Sequence, residues 1–188
     1  NIILSYMKKT KMPVADVGVI GLGPMGTALA KNFASRSFSV AIYNRTYKKT
    51  KELIADHTEE LLVPVKSIPA LVRTIKRPRK IMIRVKVGPA VDAVIKSLLP
   101  HLQKGDVIID GGNSYYKNTQ RRFQMLKKKN IHFVGCGVSG GEEGALKGPS
   151  LMPGGSREGW NAVKKILQPI AAKDFSGKPC VSYIGDDA

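Results

Sequence analysis

Cysteine is scarce: Cys136 and Cys180 are the only two in 188 residues, and they lack C-x-x-C spacing. That excludes a disulfide framework and a zinc ribbon, and it reads as reduced thiols in an intracellular protein. Aromatic residues make up 6% of the chain and are not interleaved with its basic residues, so a base-stacking surface for single-stranded nucleic acid is not indicated. No apolar run approaches the roughly 18 residues that cross a bilayer. The stretch Asn1–Met7 is too short, and Lys8, Lys9 and Lys11 follow it. Acids are few as well: 14 Asp and Glu stand against 31 Lys and Arg, a net charge of +17, and the first acid is Asp16.

A hydrophobic content of 43% supports a real core, and the length fits one domain, or one domain and the start of another. The division expected is a basic tail over 1–13 and a single folded domain over 14–188. A basic, acid-free leader has the composition of an organelle-targeting signal, although a ragged start to the sequence is the simpler reading. The positive charge favours anionic partners. Its densest stretches are Arg73 to Lys80 and Lys117 to Lys129. Without a recognition motif, a lysine-rich solvated surface is preferred to nucleic-acid binding.

The most informative stretch is Val17-Gly18-Val19-Ile20-Gly21-Leu22-Gly23-Pro24-Met25-Gly26. Four residues of strand character enter a G-x-G-x-x-G turn, and a helical stretch, Thr27 to Phe33, follows. The first glycine permits the tight turn, the second lets a pyrophosphate approach the backbone, and the third lets helix and strand pack closely. Phosphates would then lie on the free N–H groups of the helix N-terminus. A second strand, Phe38 to Tyr43, ends at Asn44-Arg45-Thr46. An NAD site would carry an acid there for the ribose 2′-hydroxyl. An arginine fork and a hydroxyl instead suit a 2′-phosphate, so NADP is favoured over NAD.

Strand and helix alternate through the remainder. A helix is expected from Lys48 to Ala55, and a strand or edge segment from Leu61 to Val65. Ser67 caps a helix that runs to about Ile75. Ile81–Val85 reads as a strand, with Arg84 near its end, where it can reach ligand or solvent. Gly88-Pro89 opens a helix that Pro100 ends, Asp106–Asp110 is a buried strand, and Thr119–Lys129 is an amphipathic helix with Phe123 and Leu126 inward. Ile131–Val134 is the next strand. The glycine-dense stretch from Gly135 to Gly155 reads as backbone packed close to a ligand, or as a long surface loop. Trp160, Val163, Ile166 and Leu167 mark a helix, and Val181–Gly185 a last strand. The fold class is therefore α/β, a doubly wound, mostly parallel sheet of Rossmann type.

Several stretches resemble the coenzyme domain of the decarboxylating, NADP-dependent 6-phosphogluconate dehydrogenases: Asn44-Arg45-Thr46, Ile108 to Ser114, Gly137-Val138-Ser139-Gly140-Gly141-Glu142-Glu143-Gly144-Ala145, and Gly148 to Gly155. Related β-hydroxyacid dehydrogenases share the glycine fingerprint but lack the signature from Val138 to Gly155. The resemblance implies that Gly21, Leu22, Gly23, Pro24, Met25 and Gly26 hold the pyrophosphate. Asn44, Arg45 and Thr46 would hold the 2′-phosphate, Val85, Lys86 and Val87 line the coenzyme cleft, Asn113 meets coenzyme and substrate, and Ser139, Gly140 and Gly141 bind the sugar acid. It further implies oxidation of 6-phosphogluconate by hydride transfer to NADP, then loss of carbon dioxide to give ribulose 5-phosphate, in the cytoplasm, with no metal. The family's dimer forms through a large all-helical domain.

The sequence departs from the family pattern in three ways. The family's general-base lysine and glutamate acid follow a Gly185-Asp186 pattern, and here Asp187-Ala188 are the last residues. No catalytic residue is therefore assigned, and the expectation is NADP binding without turnover, as an incomplete enzyme or as a stand-alone or degenerate binding module. Ser37 stands where the family has a helix-ending glycine, and Arg84 where it has an aliphatic residue.

Overall fold

A computed structural model describes residues 14–55 and 61–188; the expected tail over 1–13 lies outside them. The first strand, β1 (Val17–Ile20), is fully buried, and the turn at Gly21 leads into α1 (Pro24–Ser35). There follow β2 (Val40–Tyr43), α2 (Tyr47–Ala55), β3 (Leu62–Pro64), α3 (Ile68–Thr74), β4 (Lys80–Ile83), α4 (Pro89–Leu98), β5 (Val107–Asp110), α5 (Tyr116–Lys127), β6 (His132–Ser139), α6 (Gly141–Lys147), β7 (Ser150–Gly155) and α7 (Arg157–Ile170). The sheet order is β3-β2-β1-β4-β5-β6-β7. The first six strands run parallel, and β7 returns antiparallel to β6. This is the doubly wound order whose direction of winding reverses between β1 and β4.

Strands buried on both faces read as continuous apolar runs, and the core divides accordingly. Val19, Ile42, Met82, Ile109 and Val134 face α1 and α7, where Phe33, Val163 and Leu167 meet them. Ile20, Ile81, Ile83, Ile108 and Phe133 face the other way, toward Leu71, Ile95, Phe123 and Leu126 of α3, α4 and α5. Ser67 caps α3 as expected, its hydroxyl accepting from the Ala70 N–H at 3.2 Å. On α1, the Asn32 amide donates to the carbonyls of Ala145 and Ile170, each at 2.9 Å, tying α1 to α6 and α7. Ser37 follows α1 at φ 65°, the left-handed conformation that favours glycine.

The helix opened by Gly88-Pro89 stops just before Pro100, as expected: α4 closes at Leu98, and Pro100 lies in a 3₁₀ turn over Leu99–His101. Two expectations are corrected. The stretch Gly135–Ser139 is not loop but the second half of β6, because β7 supplies a partner residue by residue, Gly135 opposite Gly154 and Ser139 opposite Ser150. Finally, Val181–Gly185 is not a regular strand. It runs beside β7 with only two bridges, Leu151 with Val181 and Gly154 with Gly185. The cause is Pro153 in the middle of β7. Its carbonyl accepts from Ile184 at 2.9 Å, but it has no N–H to return, so the ladder is interrupted.

Candidate functional site

The carboxyl ends of β1 and β4 diverge into a cleft of two lobes, the place where this topology leaves room for a ligand. One lobe, about 500 Å³, reaches from Gly21 past Asn44, Arg45 and Thr46 to Ala93 and Val94 on α4. The other, about 400 Å³, lies between Pro24–Gly26, Val87 and Asn113. Gly23, Arg84, Val85 and Lys86 line both, so they form the waist between the lobes.

The three fingerprint glycines differ in what requires them. A Cβ on Gly26 would drive into the Gly21 carbonyl oxygen, and one on Gly21, at φ +96°, into the Arg84 carbonyl. Those two are demanded by the chain's own packing. Gly23 is different: no heavy atom lies within 4 Å of where its Cβ would be, and its backbone is extended, at φ −77° and ψ −179°. No packing among the described residues needs glycine there, and the position lines the waist of the cleft. It is also the N-cap of α1, with no side-chain cap and no acid in the helix's first turn. Bare N–H groups and the positive dipole end therefore face the cleft, an arrangement that suits a phosphate.

At the far end of the larger lobe, Arg45 and Thr46 are exposed, and Lys49 from the first turn of α2 joins them. Among the described residues, no carboxylate lines this lobe. Asn44 plays a different part. Its Oδ1 accepts from the Leu22 N–H at 3.1 Å and its Nδ2 donates to the Thr46 carbonyl at 3.1 Å, so it fastens the fingerprint turn to the loop after β2. The Leu22 side chain points into the core, 5% exposed. Lys49 was not singled out from the sequence. The available signal was its spacing, four positions beyond Arg45 in a helix that follows directly.

The smaller lobe is held by a buried arginine that sequence reasoning also missed. Arg122 of α5 is fully buried. It donates to both Asp92 carboxylate oxygens at 3.0 Å, to the Gly88 carbonyl at 3.0 Å and to the Ser114 hydroxyl at 3.2 Å, and lies 3.5 Å from Asp110 Oδ2. Asp110, at the end of β5, accepts from the Gly112 N–H at 3.0 Å and the Ser114 hydroxyl at 2.7 Å. The loops on both sides of the lobe are thereby clamped to one guanidinium. The Arg122 bonds hold the Asp92 carboxyl down at about 2. Exposed Asn113 sits on the loop so held, with no hydrogen-bond partner among the described residues. Burial pushes the Cys136 thiol up to about 12, which leaves it protonated and unsuited to nucleophilic work.

Ser139, Gly140 and Gly141 stand exposed at the turn from β6 into α6, where both glycines take positive φ. They line neither lobe, nor the hollow beside Asn113 bounded by Asp110, Thr119 and Gly137. The glycines behind them serve chain packing: a Cβ on Gly154 would lie 2.6 Å from the Asp187 carbonyl, and one on Gly148 2.9 Å from Ala172 Cα.

A doubly wound sheet with a phosphate-ready waist at its switch point defines a dinucleotide-binding domain. A family model described as the NAD binding domain of 6-phosphogluconate dehydrogenase matches residues 16–185, and the chain belongs to that family. It is 54% identical over 176 residues to the NADP(+)-dependent, decarboxylating 6-phosphogluconate dehydrogenase of Bacillus subtilis, covering 94% of this chain and 37% of that protein. It resembles the solved Plasmodium falciparum 6-phosphogluconate dehydrogenase, described in complex with its cofactor NADP+ and with its substrate 6-phosphogluconate. That match has a TM-score of 0.86 and 44% identity, over 92% of this chain and 37% of that one. A 3-hydroxyisobutyrate dehydrogenase from Salmonella typhimurium has a TM-score of 0.76 at 19% identity, over 92% of this chain and 57% of that one; this likeness shows the fold alone. The chain thus spans a little over a third of the length of the 6-phosphogluconate dehydrogenases it matches.

Proposed function

We propose that this chain is the coenzyme-binding part of a decarboxylating 6-phosphogluconate dehydrogenase and that it binds NADP in preference to NAD. The observation that carries the preference is the convergence of Arg45, Thr46 and Lys49 at the end of the larger lobe, with no acid among the described residues that line it. An acid there would bond a free ribose hydroxyl and repel a 2′-phosphate, whereas two cations and a hydroxyl favour the phosphate. The open space above Gly23 fits a pyrophosphate on the N-terminus of α1. In the whole enzyme, bound NADP would supply the hydride acceptor for oxidation of 6-phosphogluconate. Asn113 would orient reactants at the end of β5, and Ser139–Gly141 would receive the sugar acid.

On its own the chain would bind without turning over. Hydride removal from a hydroxyl needs a positioned base. Asp110, which lines the hollow beside Asn113, is already engaged by Ser114, Gly112 and Arg122, and Cys136 is a protonated thiol.

The test is a titration with NADP and NAD at about 0.15 M salt, where long-range attraction is largely screened. The wild type should favour NADP by about tenfold or more, the worth of one charge-assisted contact. Arg45→Glu should remove that preference while leaving NAD affinity nearly unchanged. Equal weakening of both coenzymes would overturn the specificity argument. Production of NADPH from saturating 6-phosphogluconate by this chain alone would overturn its inactivity.

A further inference from the structure

Arg84 is an unusual residue to find directly after a buried apolar strand. It follows Ile81, Met82 and Ile83, all fully buried, and is itself half-buried. Its backbone N–H donates to the Ile20 carbonyl at 2.8 Å, which fixes it across the switch point from β1. Its side chain then crosses the cleft floor. Arg84 Cβ lies 3.3 Å from where a Gly26 Cβ would be, and its Cδ 3.3 Å from that of Gly111. At the far end the guanidinium donates to the Gly111 carbonyl. Its other donors have no partner among the described residues. The one neighbouring acid, Asp110, is already met by Arg122, Ser114 and the Gly112 N–H, so the Arg84 charge is not neutralised by an ion pair.

The location of that charge matters more than its presence. Four residues line both lobes of the cleft: Gly23, Arg84, Val85 and Lys86. A dinucleotide has two nucleoside halves, and what joins them is a pyrophosphate with two negative charges. A ligand with one half in each lobe must pass its pyrophosphate through this waist. One wall of the waist is the N-terminus of α1, opened by the missing side chain of Gly23; the opposite wall carries Arg84. We propose that Arg84 is an affinity-determining residue that binds the coenzyme's pyrophosphate across the waist from Gly23, adding a side-chain cation to a contact otherwise made by backbone N–H groups. This rests on the dinucleotide reading of the cleft. It divides recognition in two: Arg45 and Lys49 would read the 2′-phosphate that distinguishes NADP, and Arg84 the pyrophosphate that NADP and NAD share.

The two roles separate experimentally. Arg84→Met keeps an unbranched apolar stem and removes the guanidinium and its charge. It should weaken NADP and NAD alike, by about tenfold each, the worth of one hydrogen bond to a charged group. Adenosine 2′-monophosphate, which has no pyrophosphate, should bind Arg84→Met as it binds wild type, yet lose affinity for Arg45→Glu. Arg84→Lys, which keeps the charge and gives up the fork, should stay within about threefold of wild type for both coenzymes; it serves alone if Arg84→Met does not fold. Wild-type coenzyme affinity in Arg84→Met, an equal loss of adenosine 2′-monophosphate binding, or an Arg84→Lys as weak as a charge deletion would each overturn the proposal. A strap on the Gly111 carbonyl and nothing more would appear as a lowered melting temperature with affinity intact. Failure of folded wild type to bind either coenzyme would instead overturn the dinucleotide reading, and this proposal with it.

Discussion

At Gly23, the needs of folding and of binding come apart. Its dihedral angles suit any residue, and space is open where a side chain would go. Three positions on, a Cβ at Gly26 would collide with the Gly21 carbonyl, and both backbones there are fixed by the turn. Gly26→Ala should therefore cost about 2 kcal/mol or more of stability, as forced overpacking does. Gly23→Ala should melt within a degree or two of wild type and bind NADP about tenfold more weakly, because its methyl group keeps the phosphate from the helix N-terminus. Thermal melts paired with a coenzyme titration read both. A Gly23→Ala protein that binds normally would remove the phosphate from this turn. The G-x-G-x-x-G spacing already gave the three glycines separate tasks; what it could not give is which atoms enforce the first and third, the Arg84 and Gly21 carbonyls. Arg122 was hidden for a related reason. It lies in a basic run, and charges on an amphipathic helix ordinarily face solvent; only the converging carboxylates of Asp92 and Asp110, from two other elements, make its burial tolerable.

Among the elements, those carried by apolar runs were legible and those carried by pairing were not. Each of β1, β2, β4 and β5 is a short Val/Ile-rich run, and both faces of each are buried, so sequence and environment agree. The second half of β6 holds Gly135 and Gly137, which have little strand propensity, and it is a strand because β7 pairs with it. The reverse holds for Val181–Gly185, strand-like in composition but deprived of a donor by Pro153 across from it. The clamp built by α5 has a measurable signature of the same interelement kind. Asp92 lies at about 2 in the folded protein because Arg122 donates to it, against 3.8 ordinarily. A depressed folded-state pKa means that acid protonates the unfolded chain first. The stabilisation is then complete above about pH 5, and is lost as pH falls through about 4 toward 2. Asp92→Asn should lower stability at pH 7, because it leaves Arg122 buried without a charge partner on that side, and should also flatten the loss between about pH 4 and 2. Denaturant unfolding over that range checks it. A variant with the wild-type acid slope would show that the clamp is not what titrates.

Across the whole molecule, one dense group of cations lies at the end of the sheet opposite the site. The coenzyme cleft opens at the carboxyl ends of the parallel strands. Lys80 opens β4, Lys127 closes α5, and Lys128 and Lys129 follow it before β6, all at the amino ends. Two cations at that end are already matched: Lys76 pairs with Asp16 at 2.9 Å, and Arg79 with buried Asp106 at 2.9 Å. A four-residue strand spans about 13 Å, more than the Debye length of about 8 Å at physiological ionic strength. The share of the +17 net charge that lies at that end should therefore draw anions toward the molecule without setting affinity inside the cleft. Replacing Lys127, Lys128 and Lys129 together by Gln should reduce retention on a heparin column. At about 0.15 M salt it should leave NADP affinity within twofold of wild type, and only at about 0.01 M, where the Debye length reaches about 30 Å, should coenzyme binding fall with it. Each lysine near the end of α5 also favours the helix dipole by up to about 1 kcal/mol, so a melting curve is the control for folding. A loss of NADP affinity greater than about threefold at 0.15 M, in a variant that melts normally, would mean that the basic end feeds the cleft through the sheet. Recognition would then belong to the whole charge distribution and not to Arg45, Lys49 and the waist.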